Sequence, residues 1–138
     1  MRLRKNAKLD LLRRVPLFAG LSKRDLEEVA KIADEIDLRE GKVLTKEGAP
    51  GREFFVIVEG TAEVTRGNAK VNTLSDGDFF GEISLITKLP RTATVTAVSP
   101  LRALVITDRS FRRMLDGSAS IQRSVLEALG NRLGAPVP

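Results

Sequence analysis

The stretch Gly77-Asp78-Phe79-Phe80-Gly81-Glu82-Ile83-Ser84-Leu85-Ile86-Thr87-Lys88-Leu89-Pro90-Arg91-Thr92-Ala93-Thr94-Val95 interrupts an otherwise strand-like pattern and decides how its surroundings are read. Gly81 permits a close turn, and Glu82 to Ile86 reads as one short turn of helix inside a β-rich chain. The start of a helix leaves backbone N–H groups without intrahelical partners, and such groups favour an anion. Pro90 then fixes the backbone, and Arg91 presents a planar cation with several donors, a geometry suited to phosphate. Thr92 adds a hydroxyl, and Ala93 adds an N–H with little side chain in its way. Together these groups form a phosphate cradle, beside which Glu82 can accept hydrogen bonds from a sugar hydroxyl. Taken singly, each piece has a plainer reading: a surface arginine, a turn, a strand. The cradle follows from their order within one domain.

Outward from this stretch the chain is punctuated as an all-β domain. Short segments rich in β-branched and aromatic residues run from Ile36 to Arg39, Val43 to Lys46, Phe54 to Glu59, Ala62 to Arg66, Lys70 to Leu74, Thr92 to Val98 and Leu101 to Thr107. Turn residues separate them, among them Glu40-Gly41, Gly67-Asn68, Asp76-Gly77-Asp78 and Ser99-Pro100. Many short strands at this spacing predict a sandwich, jelly roll or small barrel, whose two layers can enclose a ligand. Helical periodicity flanks them. Leu9, Leu12 and Val15 recur at three- and four-residue spacing, as do Leu26, Val29, Ile32 and Ala33, with a break at Pro16 and Gly20. Ser22 is placed as an N-cap with Asp25 three residues on, so a helix is expected from about Lys23 to Asp34. After Asp108 the period returns through Phe111, Met114, Leu115, Ile121, Val125, Leu126, Leu129 and Leu133, until Gly134 and two prolines end it. The expected organisation is one domain over 1–138: N-terminal helices in 1–35, about eight strands in 36–107, and C-terminal helices and tail in 108–138.

Composition removes most catalytic chemistry. The 138 residues contain no His, no Cys, no Trp and no Tyr. That excludes a Ser-His-Asp triad, a Cys-His pair, imidazole-ligated metals, thiolate ligands and disulfides, and it leaves carboxylate, lysine and backbone chemistry. A cupin-type jelly-roll enzyme is disfavoured because its usual metal ligands are histidines. The expectation is a non-enzyme with no metal and no cofactor. Hydrophobic residues make up 42% and charged residues 30%, enough to fill a core. Apolar runs such as Phe54 to Val58 fall far short of the roughly 20 residues needed to span a bilayer, and no signal-peptide pattern follows the basic N-terminus. A cytoplasmic protein without a membrane segment is expected.

The net charge of +5 is local. Residues 1–14 hold Arg2, Arg4, Lys5, Lys8, Arg13 and Arg14 against Asp10, while the rest of the chain balances 17 basic with 17 acidic residues. Such an arm is read as a solvated or partner-contacting helix ahead of a phosphate-binding one.

The segment around Gly81 resembles the phosphate-binding cassette of the cyclic nucleotide-binding domains of bacterial catabolite-activator regulators, protein kinase regulatory subunits and cyclic nucleotide-regulated channels. The resemblance is carried by Phe80-Gly-Glu-Ile-Ser-Leu and Pro90-Arg-Thr-Ala-Thr-Val. It extends to Val15-Pro-Leu-Phe-Ala-Gly-Leu, the Glu47-Gly48 turn with Gly51, Phe55-Val-Ile-Val-Glu-Gly60 and Gly77-Asp-Phe-Phe-Gly81, covering about residues 9 to 133. It implies a β-roll in which Arg91 pairs with the cyclic phosphate and Glu82 holds the ribose 2′-hydroxyl. Backbone groups of Gly81, Ile83 and Ala93 would help to position both, with Ser84 in the same cassette. Thr92 stands where a hydroxyl reaches phosphate or the amino group of a syn guanine. The implied ligand is cAMP, with cGMP as the alternative. The purine is expected against Val71, Leu74 and Ile83, under a lid from the last helix. That helix has no aromatic residue, so Arg132, or failing it Arg123, is expected to stack on the base.

Family members of this kind are sensors attached to an output. Residues 108–138 are too few for both a lid helix and a helix-turn-helix, so DNA is an unlikely partner of this chain, and a protein effector reached through the terminal helices is expected. Two alternatives stay open: a transcriptional regulator fragment that uses the basic arm, and a domain that has kept the cassette and lost its ligand.

Overall fold

The computed structural model describes residues 3–133. The chain divides into two compact units, a β unit spanning Ala33–Arg109 and a helical unit drawn from both ends, up to Ile32 and from Ser110 onward. Both helical ends belong to one unit. The charges of the two units differ. The helical unit holds 13 basic and 6 acidic residues, and the β unit 10 and 12.

The β unit contains eight strands: β1 (Asp34–Leu38), β2 (Val43–Thr45), β3 (Glu53–Glu59), β4 (Ala62–Arg66), β5 (Ala69–Leu74), β6 (Phe79–Phe80), β7 (Thr94–Ala97) and β8 (Leu101–Thr107). They form two four-stranded sheets, in the orders β1-β8-β3-β6 and β2-β7-β4-β5, with every pairing antiparallel. Neither order follows the sequence, so the chain passes from sheet to sheet as it does in a β-roll. Side chains alternate across each strand, and Phe55, Ile57, Ala62, Val95, Ala97, Ala103 and Val105 meet between the sheets. Each large side chain buried there contributes about 1.5–3 kcal/mol.

The seven strands expected from sequence all form, with shifted ends. Strand β7 starts at Thr94 instead of Thr92, since residues 91–93 belong to the site described below. The additional strand, β6, has only two residues and no room for alternation to show. It is held by pairing with Phe55 and Val56, and Phe80 stacks on Phe55 with ring centroids 4.9 Å apart.

The helical unit contains α1 (Lys5–Arg13), α2 (Lys23–Lys31), α3 (Asp108–Asp116, which begins in the β unit) and α4 (Ala119–Leu133). Ser22 caps α2 as its position implies, its Oγ accepting the Asp25 N–H at 3.1 Å. That helix stops at Lys31, short of Asp34, because Ile32 already closes a tight bond to the Val29 carbonyl and Asp34 pairs with Val105 in β1. Phe18 and Phe111 meet in the core at 6.1 Å. The C-terminal stretch breaks at Gly117-Ser118, where Ser118 Oγ accepts the Ile121 N–H at 3.2 Å and so starts α4.

Candidate functional site

The β unit encloses a cavity of about 530 Å³ between the Glu82–Leu85 segment and the β4–β5 hairpin. The Glu82–Leu85 segment is a single 3-10 turn, entered through Gly81 at φ +85° and closed by a bond from the Ser84 N–H to the Gly81 carbonyl. Gly81, Glu82, Ser84, Arg91, Thr92 and Ala93 line one wall. Six of the residues singled out in the sequence are therefore brought to one surface. Ile83 lies in the same turn, and its side chain is outside the described residues.

Arg91 is the centre of this wall. Its Nη1 donates to Ser84 Oγ at 2.8 Å, and its Nη2 donates to the Glu53 carbonyl. Its backbone is clasped as well: the Arg91 N–H donates to Ala49 O at 2.8 Å, and the Gly48 N–H donates to Arg91 O at 2.9 Å. Burial lowers the guanidinium's pKa from its ordinary value, and the nearby Glu53 carboxylate opposes the shift. Arginine nonetheless stays protonated, so the wall presents a cation partly stripped of water, which strengthens its attraction for an anion.

Two glycines make room for it. A Cβ on Gly81 would collide with Arg91 Nη1, and one on Gly51 would collide with Ser84 Oγ. The Gly81 backbone conformation is also one that side chains disfavour. Glu82 is 6% exposed, its Oε2 atom is buried, and it lines the same cavity. A buried carboxylate and a partly desolvated guanidinium in one hollow give separate places for hydroxyl and phosphate groups.

The opposite wall comes from the sheet. Leu74 lines the cavity as expected, but Val71 does not and is 49% exposed. Strand alternation accounts for the difference, because Leu74 and Val71 are three residues apart and so lie on opposite faces. Val64 pairs with Asn72 and Thr65 with Lys70, so Val71 is the extra residue, and Asn72 and Leu74 share the cavity face. Val64, Arg66 and Asn72 complete that wall and were not read from the sequence, nor were Gly51 as a spacer and the Glu53 carbonyl as an anchor. A backbone acceptor 38 residues away from Arg91 leaves no sequence signal.

The lid candidates lie in α4 of the helical unit. Arg123 is exposed, and the side chain of Arg132 is outside the described residues. The helical unit has its own hollow of about 800 Å³. It is larger, and charges of both signs line it, including the ion pair Lys31–Glu28 at 3.0 Å. Among the described residues no cluster of His, Cys, Asp or Glu could hold a metal ion, and no helix is long and apolar enough to cross a membrane.

A double-layered β-roll whose cavity gathers a partly desolvated arginine and a buried carboxylate has the architecture of a nucleotide-binding regulatory domain. Comparison with known proteins identifies it further. The model of the cyclic nucleotide-binding domain matches residues 35–118, and the chain belongs to that family. It is 41% identical, over 88% of its length, to 25% of the cAMP-dependent protein kinase regulatory subunit of Mycosarcoma maydis. Among solved structures it resembles the N-terminal domain of a transcriptional regulator from Streptomyces coelicolor A3(2), with a TM-score of 0.83 and 30% identity, over 90% of this chain and 92% of that one. A cyclic nucleotide-binding-like protein from Brucella abortus matches with a TM-score of 0.73 and 26% identity, over 79% of this chain and 97% of that one. The chain spans 25 to 31% of the length of the curated relatives it matches.

Proposed function

We propose that this chain is a cytoplasmic regulatory module that binds a cyclic nucleotide in the β-unit cavity, cAMP in preference to cGMP, and has no catalysis of its own. The observation that carries the reading is Arg91, partly desolvated and held by Ser84 and Glu53 in the same cavity as buried Glu82. Arg91 takes the cyclic phosphate, Glu82 accepts from the ribose 2′-hydroxyl, and backbone N–H groups of Gly81, Ile83 and Ala93 position both. Thr92 reaches either the phosphate or the base. The purine lies on Val64 and Leu74. The cavity volume falls in the roughly 300–1,000 Å³ usual for small-ligand sites. The preference for cAMP is supported by relatives named as cAMP-dependent kinase regulatory subunits.

The output is a population shift: bound ligand draws α4 over the purine, with Arg132 or Arg123 against the base, and the terminal helices pass the change to a protein effector. Titration calorimetry of purified, ligand-free protein with cAMP and cGMP, with Arg91→Ala alongside, tests the site. Micromolar or tighter binding that disappears in the variant is expected. Folded protein that gives no heat with either nucleotide, or a variant that binds as well as the parent, overturns it. Hydrogen exchange tests the output: equal amide protection of both chain ends with and without saturating ligand removes the proposed movement.

A further inference from the structure

The Glu47-Gly48 turn, which follows β2, takes no part in lining the cavity, yet it is bonded to both of its walls. Its backbone meets the wall around Arg91: the Gly48 N–H donates to Arg91 O at 2.9 Å, and the neighbouring Ala49 O accepts the Arg91 N–H at 2.8 Å. Its side chain meets the sheet wall. Glu47 Oε1 accepts the Gly67 N–H at 2.8 Å, at the turn between β4 and β5. The Glu47 N–H in turn donates to Thr94 Oγ1 at 3.0 Å, on the first residue of β7, so the residue is anchored where its carboxylate reaches out.

The hairpin has few other holds at that end. Strand β5 is the edge of its sheet, paired on one side only, and the bulge at Val71 interrupts that pairing close to the turn. Residues 66–70, which form the end of the hairpin, are all exposed, so no buried side chain fixes the tip. A hairpin with one free edge, an irregular ladder and a solvated tip opens at low cost. A single carboxylate hydrogen bond, across 20 residues of sequence, ties that tip to the loop that clasps Arg91. Resting on the cyclic nucleotide reading above, we infer that Glu47 is a positioning residue whose carboxylate latches the β4–β5 hairpin to the Arg91 wall and so sets how fast a cyclic nucleotide enters and leaves. Glu47 does not line the cavity, so the latch favours the closed arrangement equally with the cavity empty or filled. A bond common to both states cancels from the affinity and remains in both rates.

The full chain is compared with Glu47→Ala and Glu47→Gln, each shown to be folded by thermal melting. Amide exchange of Gly67, read by NMR, reports on the latch without ligand. Protection should fall in Glu47→Ala and return in Glu47→Gln, whose side chain keeps an acceptor oxygen. Dissociation of radiolabelled cAMP is then followed after a chase with unlabelled cAMP, and calorimetry gives the affinity. In Glu47→Ala dissociation should be about fivefold faster, the size expected from losing one hydrogen bond, while affinity changes less than about twofold. Glu47→Gln should restore the slow rate. Unchanged dissociation in Glu47→Ala, no rescue by Glu47→Gln, or a loss of affinity as large as the rise in rate overturns the latch while leaving the site intact. A parent protein that binds neither cAMP nor cGMP overturns the site and the latch together.

Discussion

The two walls of the β-unit cavity are made in different ways. The wall around Arg91 is built of backbone: a 3-10 turn, two glycines whose missing side chains clear space, and main-chain acceptors that hold a guanidinium. The sheet wall is built of side chains alternating on a hairpin, with a bulge choosing which of them face inward. A wall of the first kind tolerates little change, since each part is defined by close approach. A wall of the second kind can exchange a side chain without disturbing the ladder beneath it. In the function proposed above, the groups that take phosphate and ribose fall on the rigid wall.

Substitutions can break this contrast or sharpen it. Arg91→Ala should have the largest effect on binding, about 2–5 kcal/mol, because it leaves a desolvated anion unpaired; calorimetry reads it directly. Gly81→Ala should cost about 1–3 kcal/mol of folding stability as well as ligand affinity, through positive φ and collision with Arg91. Denaturant unfolding measures it, and an unchanged midpoint would show that this wall is less tightly packed than described. Glu82→Ala should weaken cAMP binding by roughly 1–3 kcal/mol, and the loss should vanish when 2′-deoxy-cAMP is the ligand. A loss of equal size with the deoxy analogue would move Glu82 from the ribose to a structural role. Ser84→Ala should have the smallest effect, about 0.5–1.5 kcal/mol of affinity, since the Glu53 carbonyl still holds the guanidinium. An effect as large as that of Arg91→Ala would make Ser84 a direct ligand partner.

The rigid wall was legible in the sequence because its parts are contiguous and chemically distinctive. Gly81, Glu82, Ser84, Arg91, Thr92 and Ala93 fall within 13 positions, and the structure brings them to one surface. Its remote supports were not legible: Gly51 is one glycine among 11, and Glu53 contributes a carbonyl that any residue could supply. On the sheet wall the β4–β5 hairpin was readable from alternation and Gly67-Asn68, yet Val71 was expected in the cavity and is outside it. The spacing itself held the answer, because a side chain three residues from Leu74 in a strand lies on the other face, while the bulge at Val71 has no marker in the composition. The same limit hid β6, where two phenylalanines are too short a run to show a period. The flanking helices were recoverable from their three- and four-residue spacing, and Ser22 marked the start of α2.

The uneven division of charge between the units has a consequence for range of action. Arg4, Lys5, Arg14, Lys23, Arg24, Lys31, Arg113 and Arg123 are all exposed in a unit where basic residues outnumber acidic ones by 13 to 6. Their field reaches about a Debye length into solution, roughly 10 Å at 0.1 M salt and 3 Å at 1 M. Arg91, partly buried in the β unit, is screened far less. Under the proposed function, ionic strength separates the two kinds of encounter: added salt should slow the approach of an acidic effector to the helical unit while the cavity keeps most of its hold on the nucleotide phosphate.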